Sequence, residues 1–192
     1  MSDPITIVGV GALGSHLVQA LRNVAPLRTI DMDRVEMRNT LSQFHNKSAV
    51  GKNKAQALAQ TMQFLWGIKI HPVPHQLQET NFKELLSGSC AIVDCVDNAP
   101  TRKLIQTAAT DLGIPCLHGA LAADGGFGRI GWDSGFGIDE DAVVGAATCH
   151  GGEHLPFVFL VVSVMAVAVN TFLLRGQKFS YHVLPNGSTV KL

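Results

Sequence analysis

Three glycines, Gly9, Gly11 and Gly14, stand between an apolar run, Ile5 to Val8, and a helical pattern through Leu17, Leu21 and Val24. A second apolar run then ends in Ile30-Asp31-Met32-Asp33. Strand, glycine turn, helix, strand and terminal acid in this order make a nucleotide site. Gly9 suits the tight turn, Gly11 lets backbone approach a phosphate, and Gly14 lets the helix pack closely on the strand. First-turn N–H groups and the positive helix end then face an anion. Asp31 stands where a carboxylate accepts from a ribose hydroxyl.

The elements that must position these residues follow from periodicity. From about Lys52 to Phe64 the apolar spacing is helical, Ile68 to Val73 alternates like a strand, and Phe82 to Leu86 reads as a short helix. Cys90 to Val96 is a continuous apolar strand with Asp94 inside it, ending in Asp97-Asn98. Pro100 suits the first turn of the next helix, and Ile114 to His118 is another short buried strand. This alternation predicts an α/β fold, a Rossmann-like doubly wound and mainly parallel sheet. Its active residues then gather beyond the carboxyl ends of the strands: Gly9 to Gly14, Asp31 with Asp33, and Asp97 with Asn98.

After Gly119 the chain turns glycine-rich and extended through Trp132, which predicts an antiparallel extension on the C-terminal side. Ser134 to Ala147 reads as a loop. Phe179 to Leu184 and Thr189 to Leu192 read as a hairpin around Asn186-Gly187. The expected organisation is one domain over residues 1–192, with a core at 1–119 and antiparallel strands, loop and buried helix at 120–192.

At 192 residues and 46% hydrophobic content, the chain can bury a core. Fifteen basic and fifteen acidic residues cancel, so no global field favours nucleic acid or an anionic membrane. Four cysteines without a Cys-x-x-Cys pair argue against a zinc ribbon and against a disulfide framework. No secretory leader is recognisable at the N-terminus, so a reduced, cytoplasmic protein is expected. Leu155 to Leu174 is twenty residues without a charge, long enough for a membrane. Pro156, Ser163, Asn170 and Thr171 interrupt it after a completed α/β pattern, so it reads as a helix buried on all sides, in the core or a subunit interface.

Five motifs in register carry a resemblance. They are Gly9-x-Gly11-x-x-Gly14, Asp31-x-Asp33-x-Val35-Glu36, Asn39 with Gln43, Val50-Gly51-Lys52-x-Lys54, and Asp94-Cys-x-Asp97-Asn98-x-x-x-Arg102. Over residues 4–133, and loosely over 145–175, the chain resembles the ThiF/MoeB/HesA family, adenylyltransferases related to ubiquitin-activating enzyme. The resemblance implies ATP in the glycine crevice and, as partner, a ubiquitin-like or sulfur-carrier protein whose C-terminal glycine is adenylated with release of pyrophosphate. It assigns Asp31 to the ribose, Asn39, Gln43 and Lys54 to the phosphates, and Asp97 to Mg²⁺; Asp33 belongs to the same strand end. It also implies a homo- or heterodimer. Plainer readings stand beside these. Lys52 and Lys54 also suit a solvated helix start, Asp97-Asn98 a helix cap, and Asp94 a structural hydrogen-bond centre.

One position departs from the pattern. The family motif reads Asn-x-x-Arg-Gln, with its arginine on the phosphates, whereas this chain has Asn39-Thr40-Leu41-Ser42-Gln43. Serine supplies no fixed cation, which leaves Arg38 or an arginine of a second subunit as replacement. Cys149 precedes the long apolar helix, where sulfur-transfer members of the family carry a cysteine that bonds the activated partner. Cys149-His150-Gly-Gly-Glu153-His154 does not match a standard zinc spacing. Three functions remain: an adenylyltransferase, a catalytically degenerate subunit that holds a carrier protein or completes a heterodimer, and an NAD-dependent oxidoreductase. The last leaves Lys54, Gln43 and Asp97 unused.

Overall fold

The computed structural model describes residues 3–122, 124–138 and 152–192. Among these residues one sheet of eight strands carries the fold, in the order β3-β2-β1-β4-β5-β6-β7-β8. The parallel half comprises β1 (Ile5–Val8), β2 (Leu27–Ile30), β3 (Ile70–Val73), β4 (Ala91–Asp94) and β5 (Cys116–Leu121). Strands β6 (Gly128–Trp132), β7 (Tyr181–Val183) and β8 (Thr189–Lys191) extend it antiparallel. The predicted doubly wound sheet with an antiparallel C-terminal side is therefore the observed one.

Strand β1 is buried along its whole length, as a central parallel strand must be. Its alternate residues serve two cores. Ile5 and Ile7 face helices α1 (Ala12–Leu21), α2 (Lys54–Trp66) and α5 (Leu155–Arg175). Val8, with Ile30 and Ile92, faces α3 (Phe82–Leu86) and α4 (Ala99–Leu112). The helix ends follow local chemistry. Asn53 and Asn98 cap α2 and α4 by accepting the N–H groups of Gln56 and Thr101 at 3.1 and 2.9 Å. Gly67, Gly113 and Gly176 close α2, α4 and α5 in the left-handed conformation.

Three expectations are corrected. The strand expected over Cys90 to Val96 ends at Asp94, because the Asp94 carboxylate accepts the Val96 N–H at 2.9 Å and turns the chain. The strand expected over Ile114 to His118 is β5 at Cys116–Leu121, which pairs parallel with β4 on one side and antiparallel with β6 on the other. Within this chain helix α5 is buried on one face only, which corrects its expected burial on all sides in the core. Phe157, Val158, Val161, Val162, Met165, Ala168 and Val169 are buried, while Phe159, Val167 and Leu174 are 46, 59 and 73% exposed. The helix lies across α1 and the sheet, and among the described residues nothing covers its outer side. Length and composition alone would let α5 cross a membrane.

Candidate functional site

The strand order reverses between β1 and β4, and the site lies beyond the carboxyl ends of these strands. Gly9 follows β1 with φ +85°, a conformation open to glycine at little cost. A Cβ on Gly14 would lie 1.9 Å from the Gly9 carbonyl oxygen, so the first turn of α1 sits directly on the glycine turn. At Gly11 the surroundings are open: a Cβ there would meet only the Gln43 amide nitrogen, 3.9 Å away. Helix α1 begins at this point with neither a side-chain cap nor an acid in its first turn. Its first N–H groups therefore have no side-chain acceptor, an arrangement that suits an anion.

The end of β2 is locked to this turn. One Asp31 oxygen accepts the Val10 N–H and the other accepts the Asp33 N–H, each at 2.8 Å. Burial raises the Asp31 carboxyl above the usual carboxylate range, and the Val10 N–H partly opposes the rise. Asn53 donates to the Asp31 and Asp33 carbonyls at 2.8 and 3.2 Å, so the cap of α2 also fixes the strand end. Lys54, 8% exposed, holds its ammonium 3.0 Å from Asp33. An ammonium has three donors, so this pair leaves others to turn toward a phosphate. Lys52, by contrast, is exposed.

The segment after β2 folds back over α1. Asn39 is mostly buried, and its side-chain oxygen accepts the Glu36 N–H at 2.8 Å in a reciprocal cap of the turn Met37–Leu41. The Asn39 oxygen thus has a structural task, and its amide nitrogen is the part left to donate. Ser42 through His45 are fastened at three places. His16 Nε2 donates to the Ser42 carbonyl at 3.0 Å, Ser15 Oγ accepts the Phe44 N–H at 2.9 Å, and His45 Nε2 donates to the Val10 carbonyl at 3.0 Å. Burial lowers both imidazoles below their ordinary range, His45 to about 4. Ser42 Oγ, Gln43 Oε1 and His45 Nδ1 are buried without a protein partner. Such a concentration of unpaired polar atoms in four residues suits a site completed by ligand or water.

Ser42 is only 2% exposed, so position 42 faces inward. Arg38 is exposed, and its guanidinium pairs with Glu36 at 2.7 Å.

The end of β4 forms the opposite wall. Asp94 and His118 are fully buried, Arg102 is 6% exposed, and the three meet at Asp94 Oδ2, with His118 at 2.7 Å and Arg102 at 2.8 Å. Arg102 also donates to the Val96 and Gly119 carbonyls, tying the end of β4 to β5. Asp97 is exposed, and Asn98 is the residue that caps α4. The two walls touch closely, since a Cβ on Gly9 would lie 3.0 Å from the Cys95 carbonyl oxygen. The structure therefore brings Gly9, Gly11, Gly14, Asp31, Asp33, Gln43 and Lys54 into one neighbourhood, with Asp97 two residues beyond Cys95.

Cys149 and His150 lie outside the described residues. Of the remaining pair in that motif, His154 packs its ring against Gly125. Among the described residues no group of three or more metal-binding side chains is found. The thiols of Cys95 and Cys116 are pushed up by burial, which makes them poor nucleophiles. A separate cavity of about 430 Å³, lined by residues including Met32, Arg34, Lys52, Asn53, Gln60 and Pro74, shares Asn53 with the site but contains neither the glycine turn nor Asp97.

The sequence reading missed Asn53 and His45. Asn53 was visible as an N-cap ahead of a helical pattern. His45 had no such signal, because its partner lies 35 residues away.

Comparison with known proteins bears on this geometry. The ThiF family profile matches residues 2–136. The chain is 34% identical over 125 residues to a SAMP-activating enzyme E1 of Haloferax volcanii, covering 63% of this chain and 46% of that protein. It is 34% identical over 121 residues to a sulfur carrier protein adenylyltransferase of Thermus thermophilus, covering 61% and 45%. The chain thus spans under half the length of these curated relatives. In fold it is similar to E. coli MccB crystallised with succinimide, with a TM-score of 0.79 at 13% identity over 99% of this chain and 62% of that one. It is likewise similar to PaaA, with a TM-score of 0.76 at 19% identity over 99% and 63%. The family match covers well over half of the sequence and includes both walls of the crevice: the chain belongs to the ThiF family.

Proposed function

We propose that the chain binds ATP with Mg²⁺ and adenylates the C-terminal glycine of a ubiquitin-like or sulfur-carrier protein. The observation that carries this reading is the meeting of an uncapped helix N-terminus at Gly11 with Asp31, Lys54 and the exposed Asp97 around one crevice. The names of the relatives, an activating enzyme and an adenylyltransferase, support it. In the proposed reaction the tail carboxylate of the partner attacks the α-phosphorus, the bond to the β-phosphate oxygen breaks, and pyrophosphate leaves. Lys54 and the α1 N–H groups would face the phosphate charge, Asp31 the ribose, and the amide of Gln43 the phosphate over Gly11. Asp97 fits a magnesium site of the kind that uses one carboxylate and takes its other ligands from substrate phosphates and water. The ion would neutralise charge on the leaving pyrophosphate.

A second reading has its own observation. Ser42 is buried and supplies no cation, and the Arg38 guanidinium is paired with Glu36. On this reading the chain holds a carrier protein, or completes a dimer in which another subunit supplies the cation. The exposed apolar residues of α5, and Phe64 on α2 at 88% exposure, support assembly with another protein surface. The dinucleotide oxidoreductase reading gains no support from the family match and leaves Lys54 and Asp97 idle. Exchange of labelled pyrophosphate into ATP, dependent on a small protein ending in glycine, tests the first reading. Nucleotide binding without exchange, for any candidate partner, would favour the second.

A further inference from the structure

Val10, in the middle of the glycine turn, has both of its backbone polar atoms held by side chains. Its N–H is donated to Asp31 at 2.8 Å, and its carbonyl accepts from His45 Nε2 at 3.0 Å. The peptide joining Val10 to Gly11 is planar and trans, so a fixed Val10 carbonyl also fixes the Gly11 N–H in the opposite direction. With the carbonyl turned to His45, that N–H points away from His45, and on the Cβ side of Gly11 the one near group is the Gln43 amide nitrogen, 3.9 Å from where a Cβ would stand.

We infer that His45 is a positioning residue for the phosphate-binding turn: by holding the Val10 carbonyl it presets the Gly11 N–H for an anion and seats Gln43 above it. His45 suits this task because it is 6% exposed and rides on a segment already fastened to α1 through Ser15 and His16. A carbonyl only accepts, so Nε2 carries the proton and the buried Nδ1 is bare. The inference rests on the nucleotide reading of the crevice, and the test separates the two.

Three proteins are compared, the wild type, His45→Leu and His45→Gln. The glutamine amide nitrogen reaches about as far as Nε2 and keeps the donor. Two quantities are read, the ¹H–¹⁵N resonance of Gly11 without nucleotide and the Kd for Mg·ATP by calorimetry. The leucine variant is expected to move the Gly11 resonance and weaken binding roughly tenfold, with the glutamine variant within about threefold of wild type. Equal binding by the leucine variant and the wild type, or equal weakening in both variants, overturns the role of His45 and leaves the crevice reading intact. Absence of ATP binding in the wild type overturns the crevice reading itself. Should the leucine variant fail to fold, His45→Asn, one carbon too short to reach Val10, takes its place under the same criteria.

Discussion

The ends of β2 and β4 are each followed or closed by two aspartates, and both use the inner acid to hold backbone. Asp31 ties the glycine turn, while Asp94 turns the chain after β4 and anchors Arg102 and His118. The outer acids differ. Asp33 has its own counter-ion in Lys54, whereas Asp97 has no cation partner among the described residues. A paired acid is already neutralised, and an exposed unpaired one is available to a metal ion. The inner acids thus share a backbone-holding task, and the presence of a counter-ion separates the two outer acids from each other.

Removing a holding group has the largest expected effect. Asp94→Ala leaves Arg102 buried without its carboxylate, and chemical denaturation should show a loss of about 3–5 kcal/mol. Gly14→Val drives a side chain into the Gly9 carbonyl; it should cost about 3 kcal/mol or more and abolish ATP binding in calorimetry. Next comes pH. The His45 imidazole titrates near 6.5 in the unfolded chain and at about 4 in the folded one, so the unfolded chain binds more protons between these values. This contribution is complete above pH 6.5 and is lost as pH falls to 4, on the order of 3 kcal/mol. His45→Gln should flatten that slope in unfolding curves measured from pH 7 to 4. The smallest stability effects belong to exposed acids. Asp97→Ala should stay within about 0.5 kcal/mol of wild type yet lose the magnesium dependence of nucleotide binding. A large loss of stability in that variant would erase the distinction between inner and outer acids.

Much of this arrangement was legible in the sequence, because it depends on short-range patterns. The Gly9 to Gly14 spacing, the acids ending two apolar runs and the Asn-Gly hairpin each report local geometry. Two features were not legible, for different reasons. The clamp of His45 on Val10 exists only once the segment after β2 folds back over α1, and no periodicity encodes that return. The exposed side of α5 was hidden because the helix is apolar all round, so the pattern contains no polar stripe to mark which face lacks a partner. Asp94 and Asp97 show the same limit. Three residues apart and of one type, they differ because the first is the buried last residue of a central strand and the second lies past that end in an exposed position.

A crystal structure of the full chain with ATP and magnesium tests the central claim most directly. The account predicts the triphosphate on the Gly11 N–H and the start of α1, the ribose at Asp31, and the metal ion within coordination distance of Asp97. Nucleotide found instead in the cavity beside Met32 and Gln60, or a metal ion remote from Asp97, would contradict it.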